Sequence, residues 1–262
     1  MKHPGWALMR GFWLSWLQYR SFLFILAFGW MIPPLIYMLV WMTVAGAQGL
    51  VGFTQGEFVA YYLVLILVNQ ITYAQTNWTV GDMVRTGEMN RILMRPVAPV
   101  YEPLASEIAC KIIYLIFDVP LVAGLALILN PQFHIGFTEV ALFIPALLAA
   151  WALRFLWGYW LALLAFWATK ADALLVLQDT LIFLLGGQVA PIMLLPVWMR
   201  DLATVLPFRY MVAFPVELLT GQVTGAAILN GFLIQTGWLV VAYALTMILW
   251  KNGVHRYGAV GG

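Results

Sequence analysis

The side chains able to do chemistry in this chain fall into separate groups divided by long apolar runs. A polar stretch from Gly81 to Pro99, GDMVRTGEMNRILMRPVAP, carries Asp82, Arg85, Glu88, Arg91 and Arg95. Asp118 and Arg154 are isolated charges within apolar segments, and Asp179 stands between Gln178 and Thr180 in another. Acids and bases in such settings can clamp two helices as an ion pair, bind a proton or ion, or line a polar path, because a lone charge in lipid is costly. A catalytic constellation is missing. Ser15, Ser21 and Ser106 are the only serines, none in a G-x-S-x-G turn, and His3, His134 and His255 are scattered over ends and loops. Cys110 is the single cysteine, so no intrachain disulfide can form, and no Cys/His spacing for a metal is present. No G-x-x-x-x-G-K-S/T loop occurs, so the chain is not expected to hydrolyse ATP and is read as holding no cofactor or metal of its own.

The elements that must position these residues are membrane helices. The 262 residues are 64% hydrophobic and 9% charged, with a mean hydropathy of +0.91, against about 45–50% apolar and about 25% charged in soluble domains. A fold that is all-α and integral to the membrane follows, as one transmembrane domain over residues 1–262. The net charge of +2 is too small to point to nucleic acid.

Along the chain, residues 5–20 set Trp6, Met9, Phe12, Trp13, Trp16 and Leu17 at three- and four-residue steps, which predicts an interfacial helix and no cleavable signal. Six spans are then expected: Phe22–Val44 with Pro33 and Pro34, Phe58–Tyr73, Ile108–Leu129, Thr138–Trp167, Ala173–Leu185 and Ala227–Trp250. The second ends in polar residues and is expected to continue as helix into a wet region. Between spans five and six, Pro191, Pro196, Pro207 and Pro215 interrupt an apolar stretch. This predicts an outer re-entrant region over 186–226 made of short helices shielded by protein.

Basic residues set the orientation. Lys2, Arg10, Arg20, Arg85, Arg91, Arg95, Lys170, Lys251 and Arg256 fall on one face of the six-span arrangement, and only Arg200 and Arg209 on the other. Both termini and the Gly81–Pro99 stretch are therefore expected in the cytoplasm.

The run G-E-M-N-R-I-L-M-R-P-V from Gly87 to Val97, lying inside after the second span, resembles the intracellular loop of ABC type-2 exporter permeases. The proline-rich outer region and the N-terminal interfacial helix extend the resemblance over essentially the whole chain. It is most similar to the small bacterial permeases that occur as separate chains, and the E-A-A loop of importer permeases is absent. The resemblance implies a bacterial inner-membrane exporter subunit that forms a translocation path with a second permease chain, identical or related. Two ATPase subunits would then bind ATP and Mg. It further implies a cytoplasmic coupling loop at 76–103 that sits in a groove of the ATPase, with Asp82, Arg85, Gly87, Glu88, Arg91 and Arg95 as the coupling residues. Met83, Met89, Ile92, Leu93 and Met94 suit an adaptable apolar contact, and Pro96 and Pro99 end the helix.

Glu107 and Lys111, four apart, are expected to pair locally. Asp118 and Arg154 are expected to form an intramembrane ion pair. By the resemblance, Gln178 and Asp179 line the path between permease chains, with Asn69 and Gln70 facing the same cavity; pairing of Asp179 with Arg154 is the alternative. Trp198, Phe208, Tyr210 and Phe214 are expected to gate the exit or to anchor at the outer interface. An ion- or proton-coupled secondary carrier using Asp118, Arg154 and Asp179 is the alternative function, and it predicts an internal repeat that the sequence does not display.

Overall fold

The computed structural model describes residues 9–15, 20–46, 53–75, 77–133, 135–168 and 172–257. Of the expected interfacial helix over 5–20, residues 9–15 are helical, Arg20 belongs to the following helix, and 5–8 and 16–19 lie outside the described residues, as does Lys170. The fold is all helix apart from its connections. The long helices are α1 (Arg20–Ala45), α2 (Gln55–Thr72), α5 (Tyr101–Leu129), α6 (Phe137–Leu163) and α11 (Ala226–Arg256). Shorter ones are α3 (Asn77–Arg85), α4 (Met89–Leu93), α7 (Asp172–Leu185), α8 (Val197–Val205), α9 (Pro207–Met211) and α10 (Ala213–Leu219).

Among the described residues, five stretches are long and apolar enough to cross a membrane: Phe28–Ala45, Gln55–Arg85, Tyr101–Leu129, Phe137–Phe166 and Ala226–Arg256. Helix α7, where a fifth span is expected, has 14 residues. At about 1.5 Å per residue it reaches about 21 Å, short of the roughly 30 Å hydrocarbon core.

Local sequence sets the helix ends. A capping box opens α2: the Glu57 amide donates to the Thr54 hydroxyl at 3.2 Å, and the Thr54 amide donates to the Glu57 carboxylate at 2.6 Å. Asn130, with φ 48, closes α5 in the left-handed region that asparagine tolerates. The Gly136 amide donates to Glu139 at the start of α6.

Helix α2 is the centre of the bundle. Of its spanning window 78% is buried, against 17–28% in the other four, and every residue from Phe58 to Ile66 is buried. Helices α1, α5, α6 and α10 pack around it. On the far side α11 packs along α6, its buried positions Gly231, Gln235, Ala242, Thr246 and Gly253 recurring at four- and seven-residue steps. Gly231 receives the Phe214 ring and Gly253 the Phe166 ring, so small residues let these partners approach.

The proline-broken region folds as short helices α8, α9 and α10, which fits the sequence expectation of several stops. Their freed carbonyls are met by donors. Tyr61 donates to the Gly187 carbonyl at 2.9 Å, Tyr62 and Trp41 both reach the Val189 carbonyl, and Trp238 reaches that of Val205. Gln235 donates to the carbonyls of both Tyr210 and Ala146 at 3.0 Å. Such satisfaction is the condition for irregular backbone at membrane depth. Phe208, Tyr210 and Phe214 are buried in this packing, whereas Trp198 is exposed, so only Trp198 retains the geometry of an interfacial anchor.

Candidate functional site

The Gly81–Pro99 stretch forms a helical hairpin. Helix α3 ends at Arg85, Gly87 turns the chain with φ 81, and α4 begins two residues later. A positive φ is open to glycine without the steric penalty a Cβ brings, which explains why the turn carries one. The hairpin has an inner and an outer face. Val80, Val84, Met89 and Ile92 are buried in one cluster with Phe155, Tyr159, Ala162 and Leu163 from the end of α6. Trp250 of α11 and Tyr257 pack on the same cluster, so the hairpin, the end of α6 and the C-terminal end of α11 share one end of the bundle.

Four of the five apolar residues expected on a partner-facing surface therefore pack on this chain's own bundle, Met89 and Ile92 buried and Met83 and Leu93 partly buried. Met94 is 82% exposed and remains available.

The charged residues are largely paired within the chain. Arg85 bonds Asp82 and reaches Asp172, the first residue of α7, at 3.0 Å. Arg91 meets Glu88 at 2.6 Å and Glu102 at 3.1 Å, while Arg95 meets Glu102 at 2.9 Å. Hydrogen bonding to Glu88 first, then to Glu102, holds the Arg91 guanidinium above its ordinary range. Glu102 and Asp172 are the functional candidates that sequence spacing missed. Glu102 lies 11 residues after Arg91 and 7 after Arg95, and the chain turn through Pro96 and Pro99 brings it back. Together these pairs tie the hairpin to both α5 and α7, and α3 leads out of the central helix.

Where α2 gives way to α3, a second polar cluster forms. Arg154 of α6 donates to the Asn69 side-chain amide oxygen, Oδ1, at 2.8 Å and to the Thr72 hydroxyl at 3.2 Å, with its guanidinium 5.0 Å from the centre of the Tyr73 ring. Lys111 pairs with Glu107 at 2.9 Å and also donates to the Tyr73 carbonyl. Asn77 donates to the Phe155 carbonyl at 3.1 Å. The break at Tyr73–Gln75 is thus held from α5 and from α6.

The expected Asp118–Arg154 ion pair is not formed. Helix α5 packs on α2 and α1, and α2 stands between it and α6. Arg154 takes the neutral partners above, and both carboxylate oxygens of Asp118 are buried without a hydrogen-bond partner among the described residues. Nor do Arg154 and Asp179 make an ion pair, although Asp179 is the foremost charge acting on Arg154 through space. Gln178 donates to Asp179 at 3.4 Å and lies beside Gly158 and Asn77. Gln70 lines a small cavity with Tyr73, Gln75, Glu107, Lys111 and Tyr114; Asn69, Gln178 and Asp179 are not on its wall. Within one chain Gln178 and Asp179 bond each other and Asn69 bonds Arg154, while Gln70 alone of the four lines that cavity.

Among the described residues no group of acidic, histidine or cysteine side chains could hold a metal. What the geometry provides is a polar, charge-tied hairpin at one end of an apolar bundle, mechanically joined to its central helix. Against this background the family comparison is decisive: the description ABC-2 family transporter protein matches residues 29–261. The chain belongs to the ABC-2 transporter family. A comparison with curated proteins finds no match. As an ABC-2 protein the chain is a multi-pass membrane permease component of an ABC transporter, working with an ABC ATPase partner. In this ABC-2 chain the hairpin combines exposed charge with a packed connection to the bundle.

Proposed function

We propose that this permease exports its substrate as one half of a dimer, with a second permease chain, identical or related, and two ATPase subunits that bind ATP and Mg. The hairpin within 76–103 is the coupling element. Its outer face presents Asp82, Glu88, Arg91, Met94 and Arg95 to the ATPase, and its inner face transmits displacement to α2, α6 and α7. The observation that carries this reading is the direct tie from the hairpin to α7 through Arg85 and Asp172 at 3.0 Å, combined with its continuity with the central helix.

In this reading the domain is a single six-crossing unit over residues 1–262 of a bacterial inner membrane. The fifth crossing is completed by α7 together with the re-entrant helices up to residue 226. Both termini are cytoplasmic, in keeping with the shared end of the bundle that holds Arg85, Arg91, Arg95, Lys251 and Arg256. Asn69, Gln70, Gln178 and Asp179 are polar groups of the path, which the second permease chain closes.

The test replaces Gly87–Arg91 by a flexible linker. Transport and coupled ATP hydrolysis should be lost while membrane insertion is retained. Normal transport by that variant overturns the assignment. A reporter active only outside the cell, fused at Gly262, should stay silent.

A further inference from the structure

Helix α11 carries a feature that the coupling reading does not use. Its buried stripe, through Ala242, Thr246 and Gly253, faces α6 and the Phe166 ring. The opposite side is open, and near the C-terminal end it forms a shallow groove of about 530 Å³. Met247 and Ile248, exposed by 49% and 56%, make its deep half. Lys251 and His255 form its shallow half, with the flank of Trp250 alongside.

The spacing orders these groups by depth. Met247, Lys251 and His255 follow one another at four-residue steps, so they lie along one side of the helix, each about 6 Å from the next. Apolar surface therefore comes first, then an ammonium group, then an imidazole. Neither basic side chain has an acidic partner among the described residues. This contrasts with Arg85, Arg91 and Arg95 at the same end of the bundle, each committed to a carboxylate. Unpaired basic groups at the end of an apolar groove on a helix long enough to cross a membrane complement one kind of molecule that surrounds such a helix.

We infer that this groove is a binding site for an anionic phospholipid: the acyl chain lies on Met247 and Ile248, and the phosphate is held by Lys251 and His255. The lysine supplies charge, and the imidazole donates a hydrogen bond to a phosphate oxygen. Trp250 flanks the glycerol level, where an amphipathic ring is at home. The leaflet assignment rests on the cytoplasmic placement proposed above, but the binding itself does not, because a detergent micelle offers lipid to either end.

Native mass spectrometry of the full-length permease, presented with equal amounts of phosphatidylglycerol and phosphatidylcholine, tests the site. Wild-type protein should retain phosphatidylglycerol preferentially. The Lys251→Gln/His255→Ala double variant should lose about tenfold of that preference, consistent with the usual contribution of a basic residue near anionic lipid together with one lost hydrogen bond. The Lys251→Arg variant should keep it, and rising salt should erode it in wild-type protein without any substitution, so a poorly folding variant leaves the inference testable. Equal retention of both lipids by wild-type protein, an unchanged preference in the double variant, or full displacement by millimolar inorganic phosphate overturns the inference. The Gly262 reporter tests orientation separately, so failure of one is not failure of the other.

Discussion

Arg85 at the end of α3 reaches across 3.0 Å to Asp172 at the start of α7. This one pair joins the hairpin to the helix that carries Gln178 and Asp179. The two side chains are about one-third exposed, at 31% and 34%, so solvent screening leaves the pair little weight in stability. Its value for coupling is geometric. Asp172→Asn should leave the melting temperature within a few degrees of wild type and lower the ATP hydrolysis coupled to transport severalfold in the reconstituted complex. Unchanged coupling would remove Asp172 from the transmission route.

Gly187 sits where the proline-broken region leaves α7, with φ 79. A Cβ there would lie 2.4 Å from the Tyr61 hydroxyl and 2.9 Å from the Ala213 Cβ. Both the backbone conformation and the space oppose any larger residue, and Tyr61 is the donor that satisfies this residue's carbonyl. Gly187→Ala should cost about 2–4 kcal/mol, seen as a fall of several degrees in thermal unfolding in detergent. Gly124, which has open space around it in α5, is the control: Gly124→Ala should be neutral or stabilising by up to about 1 kcal/mol.

The contrast between these two glycines shows what the sequence could reveal. The all-α membrane class followed from apolar run lengths, and the broken region from four prolines, because both are local properties. That Tyr61, Tyr62 and Gln235 would satisfy its carbonyls could not be read, since each bond spans 25 residues or more. Glu107 and Lys111 were legible as an i,i+4 pair on one helix face. Arg154 was legible as costly but not as a partner of Asn69 and Thr72, because charge alone points to an acid and neutral oxygens give no comparable signal. The short fifth span was legible as well: the expected Ala173–Leu185 matches Asp172–Leu185 to within one residue, because Gly186 and Gly187 stop the apolar run locally.

Glu102 gathers Arg91 and Arg95 at the first turn of α5, its side chain only 9% exposed. Two charge-assisted bonds to one poorly solvated carboxylate outweigh an exposed pair. Glu102→Gln keeps the volume and removes the charge, and it should free the hairpin from the third long helix without disturbing the apolar face of Met89 and Ile92. Amide hydrogen exchange across residues 88–95 should quicken about tenfold, which corresponds to about 1.4 kcal/mol of lost local stability. Exchange at the wild-type rate would mean that the apolar cluster alone holds the hairpin.

Asp118 reverses the expectation attached to it. Had it paired with Arg154, removing its charge would have left a buried cation uncompensated and weakened assembly. Arg154 is instead held by Asn69, Thr72 and the Tyr73 ring, none of which involves Asp118. The carboxylate is buried with both oxygens unpartnered, so it contributes a desolvation cost and no bond to offset it. Asp118→Asn removes the charge at nearly constant shape and should match or exceed wild-type stability, by up to about 2 kcal/mol. Arg154→Ala should be destabilising by about 2 kcal/mol or more, because it takes the donor from the buried Thr72 hydroxyl and leaves Asn69 Oδ1 with only the longer bond from Gln188 at 3.3 Å. The two variants should therefore move the melting temperature in opposite directions. Parallel losses would show that the two residues act on one interaction after all.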